Sequence, residues 1–304
     1  MAVVDSDAGL AQAVSNQFGC RALSNISDLK GQVDAASVSV PTIHHLDVAA
    51  QLMIASIDVL VEKPLASTVA EADQLIQLAK SGKRIAQAGH LERFNPAVLA
   101  TLPLITRPMF FEVHRLSIFT PRSLDVDVVL DLMIHDIDVV LSFVSSPLKD
   151  VRAVGLAVVT DKVDIANVRL EFESGCVANL TASRVSTERV RKLRFFQPHE
   201  YISIDYGRRD VLQISVKQDK PSVEDLMGMT GLGSIFPIPG VSLNKPKVAD
   251  EEPLHAELRS FLDSVRNRTR PLVSLEDGRR ALEVAMRILT TIEEHTRQAQ
   301  LHSL

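Results

Sequence analysis

Residues 57–89 constrain the fold of this chain more tightly than any other stretch. An apolar run, Ile57, Val59, Leu60 and Val61, ends abruptly in Glu62-Lys63-Pro64. A short apolar run closed by a proline reads as a buried strand. The periodicity predicts an amphipathic helix over residues 67–80, and a second strand-like run follows over 84–89. Strand, helix and strand in that order make a βαβ unit, which demands a parallel sheet. In open sheets of that kind ligands bind at the carboxyl ends of the strands. The Glu62-Lys63 pair stands at such an end and is a site candidate.

The same alternation continues upstream. Val3-Val4-Asp5 reads as a strand end, residues 7–18 as a helix with Leu10, Val14 and Phe18 on one face, 35–40 as a strand and 42–55 as a helix. From about Met109 the pattern changes. One helix over 129–143 precedes strand-like runs over 151–160, 167–173, 177–183, 191–197, 201–206 and 211–216. The expected fold is α/β: a Rossmann-type parallel sheet over residues 1–104, then an α+β domain over 105–304 with a mainly antiparallel, open-faced sheet. Residues 219–252, rich in Gly, Pro, Met and Lys, read equally as a disordered excursion or as a lid or assembly loop. Helices over 253–268 and 275–297 close the chain.

A dinucleotide-binding half opens with a strand, G-x-G-x-x-G and a helix, with an acidic ribose ligand about 20 residues later. Here Asp5 comes almost at once, and the sequence holds no G-x-G-x-x-G. The parallel sheet is therefore expected to lack its first strand and first helix. That strand would lie centrally, between the one ending at Asp5 and the one ending at Val61-Glu62.

Composition narrows the function. A net charge of −5 argues against general nucleic-acid binding, which needs a basic face. No window approaches the roughly 18 apolar residues of a membrane span, and the first residues carry no secretory pattern. Cys20 and Cys176 lie far apart without metal-ligand spacing, so a reduced, cytoplasmic protein is expected.

Three ordered segments, Val-Glu-Lys-Pro-Leu-Ala at 61–66, Ala-Gly-His-Leu-Glu-Arg-Phe-Asn-Pro at 88–96 and Val-Leu-Asp-Leu-Met-Ile-His-Asp-Ile-Asp at 129–138, carry a resemblance. They resemble the signatures of the glucose–fructose oxidoreductase / inositol dehydrogenase / rhizopine catabolism (Gfo/Idh/MocA) family of NAD(P)-dependent sugar oxidoreductases. The resemblance runs from Val3 to about Ile292. Within the family the segments are most similar to the UDP-N-acetylglucosamine 3-dehydrogenase branch. The resemblance implies an NAD-dependent enzyme that oxidises a ring hydroxyl of a nucleotide sugar, C3 of UDP-N-acetylglucosamine, on the way to a lipid A diamino sugar. It also implies a homo-oligomer. An inositol or free-sugar dehydrogenase of the same family, or a remnant that has lost its cofactor site, are the alternatives.

By the same resemblance Lys63, Asp131 and His135 form the catalytic group. Asp131 and His135 stand four apart on a predicted helix and so project from one face. A carboxylate beside an imidazole sets its tautomer, making His135 the general base and Asp131 its orienter. The plain alternative is a surface helix pair and a solvated strand-end lysine. Pro41 and His45 match the turn that lies along the cofactor, although His44 and His45 could equally be satisfied first-turn histidines. Glu62 matches a ribose contact, and Lys63 also reaches the cofactor. His90 and Arg93 fall near the inferred nicotinamide and substrate.

Asp5 at a strand end suits both adenosine ribose hydroxyls and repels a 2′-phosphate, which favours NAD over NADP; helix capping is its alternative. Arg184, Arg189, Arg191, Lys192 and Arg194 form a basic run. It reads as a solvated strand face or, centred on Arg184, as a cradle for a substrate diphosphate. The cluster Asp125, Asp127, Asp131, Asp136 and Asp138 is not expected to hold a metal, because Asp136 and Asp138 lie off the Asp131–His135 face and no second His or Cys follows. Asp127 replaces a small residue or Gly of the family pattern.

Overall fold

A computed structural model describes residues 1–120, 126–216 and 241–299. Its elements are, in chain order, β1 (Ala2–Val4), α1 (Ala8–Phe18), β2 (Arg21–Leu23), β3 (Ala35–Val38), α2 (His45–Ile54), β4 (Asp58–Glu62), α3 (Val69–Gly82) and β5 (Ala86–Gly89). Then come α4 (Pro96–Thr101), β6 (Phe110–Ile118), a π-helical turn (Val129–Met133) running into α5 (Ile134–Phe143), β7 (Leu148–Leu156), β8 (Ile165–Phe172) and β9 (Val177–Ser186). β10 (Val190–Gln197), β11 (Glu200–Asp205), β12 (Asp210–Val216), β13 (Val241–Asn244), α6 (Pro253–Asn267) and α7 (Leu275–Gln298) complete the list. The chain divides into two compact units, Met1–Leu91 with Leu254–Glu283, and Glu92–Pro253 with Val284–Leu304.

In the first unit β3, β4 and β5 form a parallel sheet in that order. Asp58 to Val61 are buried without a break, as expected of a parallel strand covered on both faces. α3 follows because Thr68 caps its start, accepting from the Glu71 amide at 3.1 Å, while Glu71 accepts from the Ser67 amide at 2.9 Å. The edge of β5 is closed by the segment before α7: the Ala88 amide donates to the Val273 carbonyl at 3.1 Å, and Gln87 bridges Ser274.

β1 and β2 pair in parallel as a separate two-stranded sheet. The break in the parallel sheet falls between the β1–β2 pair and β3, which corrects the expectation that the strand ending at Val61-Glu62 borders it. Among the described residues β4 has β3 on one side and β5 on the other.

The second unit is an eight-stranded sheet ordered β13-β12-β11-β10-β6-β9-β8-β7, antiparallel except where β6 and β9 run parallel. α5 packs on one face, where Phe143 meets Phe111 and Phe195 with ring centroids 6.4 and 5.7 Å apart. The other face carries cross-strand polar pairs such as Asn167–Thr181 at 2.9 Å and Arg194–Glu112 at 3.3 Å. The sequence expectation missed β2, β6 and β13. β13 falls in the 219–252 stretch; residues 219–240 of that stretch, like Asp125, lie outside the described residues.

Candidate active site

In the first unit the candidates gather at the carboxyl ends of the strands. Glu62 ends β4, and Glu62 and Lys63 are half-buried before a cis Lys63–Pro64 bond. Gly89, ending β5, lies so close that an added Cβ would sit 2.9 Å from the Glu62 Cα and 3.1 Å from its Oε2. The backbone approach there requires glycine.

His45 is 1% exposed. Its Nδ1 faces the Pro64 carbonyl and its Nε2 the Val40 carbonyl, each at 2.9 Å. The ring thus ties the loop after β3, which includes Pro41, to the turn after β4. The structure favours the satisfied histidine over a direct cofactor contact, because both ring nitrogens face protein carbonyls. His90, just beyond β5, is likewise 1% exposed.

Asp5 follows β1 and accepts from the Asp7 amide through Oδ1 at 2.8 Å. Asp7 caps α1, accepting from Gly9 and Leu10. Asp7 thus takes the capping role, and one Asp5 oxygen is engaged by the Asp7 amide. Asp5 and Glu62, acceptor carboxylates at strand ends, fit the ribose hydroxyls of a dinucleotide.

Sequence reasoning passed over Glu257 on α6. It is 1% exposed, and no group among the described residues hydrogen-bonds its Oε1. Burial, reinforced by the nearby Glu62 carboxylate, pushes its pKa up to about 8. The signal was a charge on the buried stripe of an otherwise amphipathic helix, with Phe261 and Ser264 four and seven residues on.

In the second unit Asp131 lies in the π-helical turn and His135 in the first turn of α5, both half-buried. The Ile134 amide reaches back five residues to the Val129 carbonyl. This widened turn replaces the uniform α-helix expected over 129–143, and such turns are frequent at functional sites. The entry to the turn is pinned. The Asp127 carbonyl accepts from Leu130 and Asp131 at 3.0 and 2.9 Å, and the Asp127 carboxylate accepts from the Val163 amide at 2.9 Å. Asp127 is therefore a structural anchor.

Arg184 serves the same segment. It is 6% exposed, with Nη2 donating to the Val126 and Val163 carbonyls and Nε 3.4 Å from the Asp164 Oδ1. This differs from the diphosphate cradle expected around it: these donors are directed at main-chain carbonyls and a fully buried carboxylate. Lys192 and Arg194 face outward along β10, Arg194 beside Glu112 at 3.3 Å and Lys192 beside Asp205 at 3.8 Å, and Arg189 and Arg191 are exposed. The solvated-face reading suits these residues.

Asp136 and Asp138 are both buried and each meets an arginine; Asp138, three residues after His135, stands by helical spacing on the His135 side and not off it as expected. Asp136 takes two bonds from Arg115, at 2.6 and 2.9 Å, and Arg115 also reaches Glu92 at 2.9 Å. The guanidinium lies 5.2 Å from the Tyr206 ring centroid. Burial alone would lower the Arg115 pKa, but Asp136 and Glu92 more than offset it and keep the cation charged. Arg93 Nη1 stands 3.4 Å from Asp138, so α5 is held by two arginines from earlier in the unit. Among the described residues no group of three or more His, Cys, Asp and Glu side chains is arranged to hold a metal, and no helix is long and apolar enough to cross a membrane.

Known proteins agree with this architecture. The oxidoreductase family model with an NAD-binding Rossmann fold matches residues 1–90, and the GFO/IDH/MocA C-terminal domain model matches residues 106–197. The UDP-N-acetylglucosamine 3-dehydrogenase of Acidithiobacillus ferrooxidans is 36% identical over 292 residues, 96% of this chain and 89% of that protein. A solved structure of the enzyme so named from that organism superposes with a TM-score of 0.87 at 35% identity, covering 96% of this chain and 90% of the other. The myo-inositol 2-dehydrogenase of Thermotoga maritima is 24% identical over 86% of this chain and 78% of that protein. An aldose-aldose oxidoreductase from Caulobacter crescentus, 18% identical, shares the fold with a TM-score of 0.79 over 97% of this chain and 89% of its own. Matched in order along both of its halves, the chain belongs to the GFO/IDH/MocA family of oxidoreductases.

Proposed function

We propose that this chain oxidises the C3 hydroxyl of UDP-N-acetylglucosamine, with NAD rather than NADP as oxidant. The observation that carries the reading is Asp131 and His135 on the half-buried side of a helix whose entry is pinned by Asp127 and Arg184. The substrate comes from the relative named for it, which shares 36% of its residues over 96% of this chain. A bound nicotinamide supplies the acceptor for the hydride leaving the carbinol carbon. His135 accepts the hydroxyl proton at an imidazole nitrogen, Asp131 fixes the tautomer that leaves that nitrogen basic, and Lys63 hydrogen-bonds the same hydroxyl oxygen. Asp5 and Glu62 hold ribose hydroxyls, and the Asp5 charge disfavours a 2′-phosphate. His90 and Arg93 belong to the substrate side of the reading. Arg184 supports it indirectly, through the Asp131 turn.

Two free thiols, Cys20 and Cys176, suit a reducing cytoplasm. The half-exposed outer face of the large sheet suits self-association, and a monomer in light scattering would remove that part of the reading.

The deciding assay follows reduction of NAD and NADP, with UDP-N-acetylglucosamine or myo-inositol, by the protein extended at its amino end with the family's first strand, glycine turn and helix. Turnover is expected with NAD and the nucleotide sugar. His135→Ala should lower kcat by about 10²–10⁴ and leave KM nearly unchanged. Turnover of myo-inositol without any of UDP-N-acetylglucosamine overturns the substrate, and equal use of both cofactors overturns the role of Asp5.

A further inference from the structure

At the amino ends of β4 and β5 the first unit has a concavity of about 530 Å³. Asp58 and Ala86 begin those strands, so it opens at the opposite end from Glu62 and Gly89. Five cations line it: Lys80, Lys83 and Arg84 from the end of α3, and Arg268 and Arg270 from the connection between α6 and α7. Its apolar floor includes Ile76, Ala79, Ile85 and Leu275, and among the described residues no aromatic ring lines it.

Helix dipoles account for only part of this charge. Cations are favourable at the carboxyl end of α3, where Lys80, Lys83 and Arg84 stand. Arg268 directly follows the carboxyl end of α6, where it is also favourable, whereas Arg270 approaches the amino end of α7, where the dipole disfavours it. Arg268 is offset by its ion pair with Asp58, and Lys80 is offset by Glu276 at 2.9 Å. Among the described residues no carboxylate lies within ion-pair distance of Lys83, Arg84 or Arg270.

The guanidiniums are nevertheless held in place. Arg84 donates to the Gly82 and Ser56 carbonyls, both at 2.8 Å. Arg268 donates to the Lys83 carbonyl at 2.7 Å, and Arg270 to the Ser274 hydroxyl at 3.1 Å. Neutral anchors orient a cation without cancelling its charge. Part of the side-chain entropy that a freely solvated arginine would lose on binding is already spent.

We propose that this concavity binds a small polyanion, a metabolite bearing a diphosphate or longer phosphate chain. Lys83, Arg84 and Arg270 supply the charge, and bidentate guanidinium contacts suit phosphate oxygens. Without an aromatic surface for stacking, recognition rests on the phosphates and not on a base.

Titration calorimetry of the intact chain with inorganic pyrophosphate, triphosphate and sulfate tests the site. Pyrophosphate and triphosphate are expected to bind at one site per chain, sulfate far more weakly. Lys83→Ala with Arg270→Ala should weaken pyrophosphate at least about tenfold, and Asp5→Asn should leave it unchanged, which separates this site from the cofactor region. Hydrogen exchange on the unaltered protein gives an independent reading: added pyrophosphate should protect amides around residues 82–86 and 268–276. Undiminished affinity in the double variant, equal binding of sulfate, or protection confined to the region of Asp5 and Glu62 would each overturn the proposal. None of these readouts depends on turnover.

Discussion

Glu257 shows how a single residue can set a property of the whole protein. Its carboxyl moves from an ordinary value of 4.5 to about 8 on folding. Between those values the native state keeps a proton that the unfolded chain has released. Stability should therefore fall as pH rises through that window and level off above about pH 8. The nominal cost at the top of the window is on the order of 3 kcal/mol after allowing for relaxation around the site. Glu257→Gln should flatten the slope and leave the variant more stable than the parent at the alkaline end. Urea unfolding across the range reads both, and an unchanged slope would show that the carboxyl is already ionised in the fold. Residues of this kind resist sequence reading because their partners are remote. Glu62 is legible from its strand-end position, whereas Glu257, whose proton it helps to retain, lies nearly two hundred residues away. Arg115 hid a strand for the same reason. Phe111 and Val113 begin a buried alternation that Arg115 continues with a charge, and only the tertiary pairing with Asp136 and Glu92 makes that burial tolerable.

Elements with uninterrupted local signals were legible: β4, α3 and α5 came out within a few residues of the expected bounds. The π-helical turn was not legible, since a five-residue hydrogen bond leaves no mark in a pattern of apolar positions. α7 tests the balance of local and tertiary terms at Gly278. A helix-interior glycine costs about 1 kcal/mol against alanine, so propensity alone argues for replacement. The added Cβ, however, would lie 2.7 Å from the Ala88 Cβ and 3.3 Å from the Leu65 Cδ2. Overpacking of that kind costs about 1–3 kcal/mol, and both neighbours are buried, so it should prevail. Gly278→Ala is expected to lower Tm, with Ala88→Gly restoring part of the loss. A variant as stable as the parent would show that α7 can lift from β5 without penalty.

Across the whole molecule the order of strands and helices and the change of architecture after β5 were readable from periodicity. The division of the parallel strands into two sheets was expected in kind and misplaced by one strand. β1 and β2 have three residues each and partner only one another among the described residues, whereas β4 is paired on both sides. Backbone amides of β1 and β2 should therefore exchange with solvent well before those of β4. Equal protection would mean that the small sheet is braced as firmly as the large one. The first unit is also discontinuous, taking Met1–Leu91 and then Leu254–Glu283. On a ribosome its last pieces, including Glu257 and Gly278, emerge only after the intervening residues have been made. At about 5–20 residues per second that wait is on the order of ten to thirty seconds. For that interval the nascent first unit lacks the segment that closes the edge of β5, and by its end most of the second unit has emerged. The cell meets this protein first as an unfinished half beside a nearly finished one, and that period is when a chaperone has most to guard.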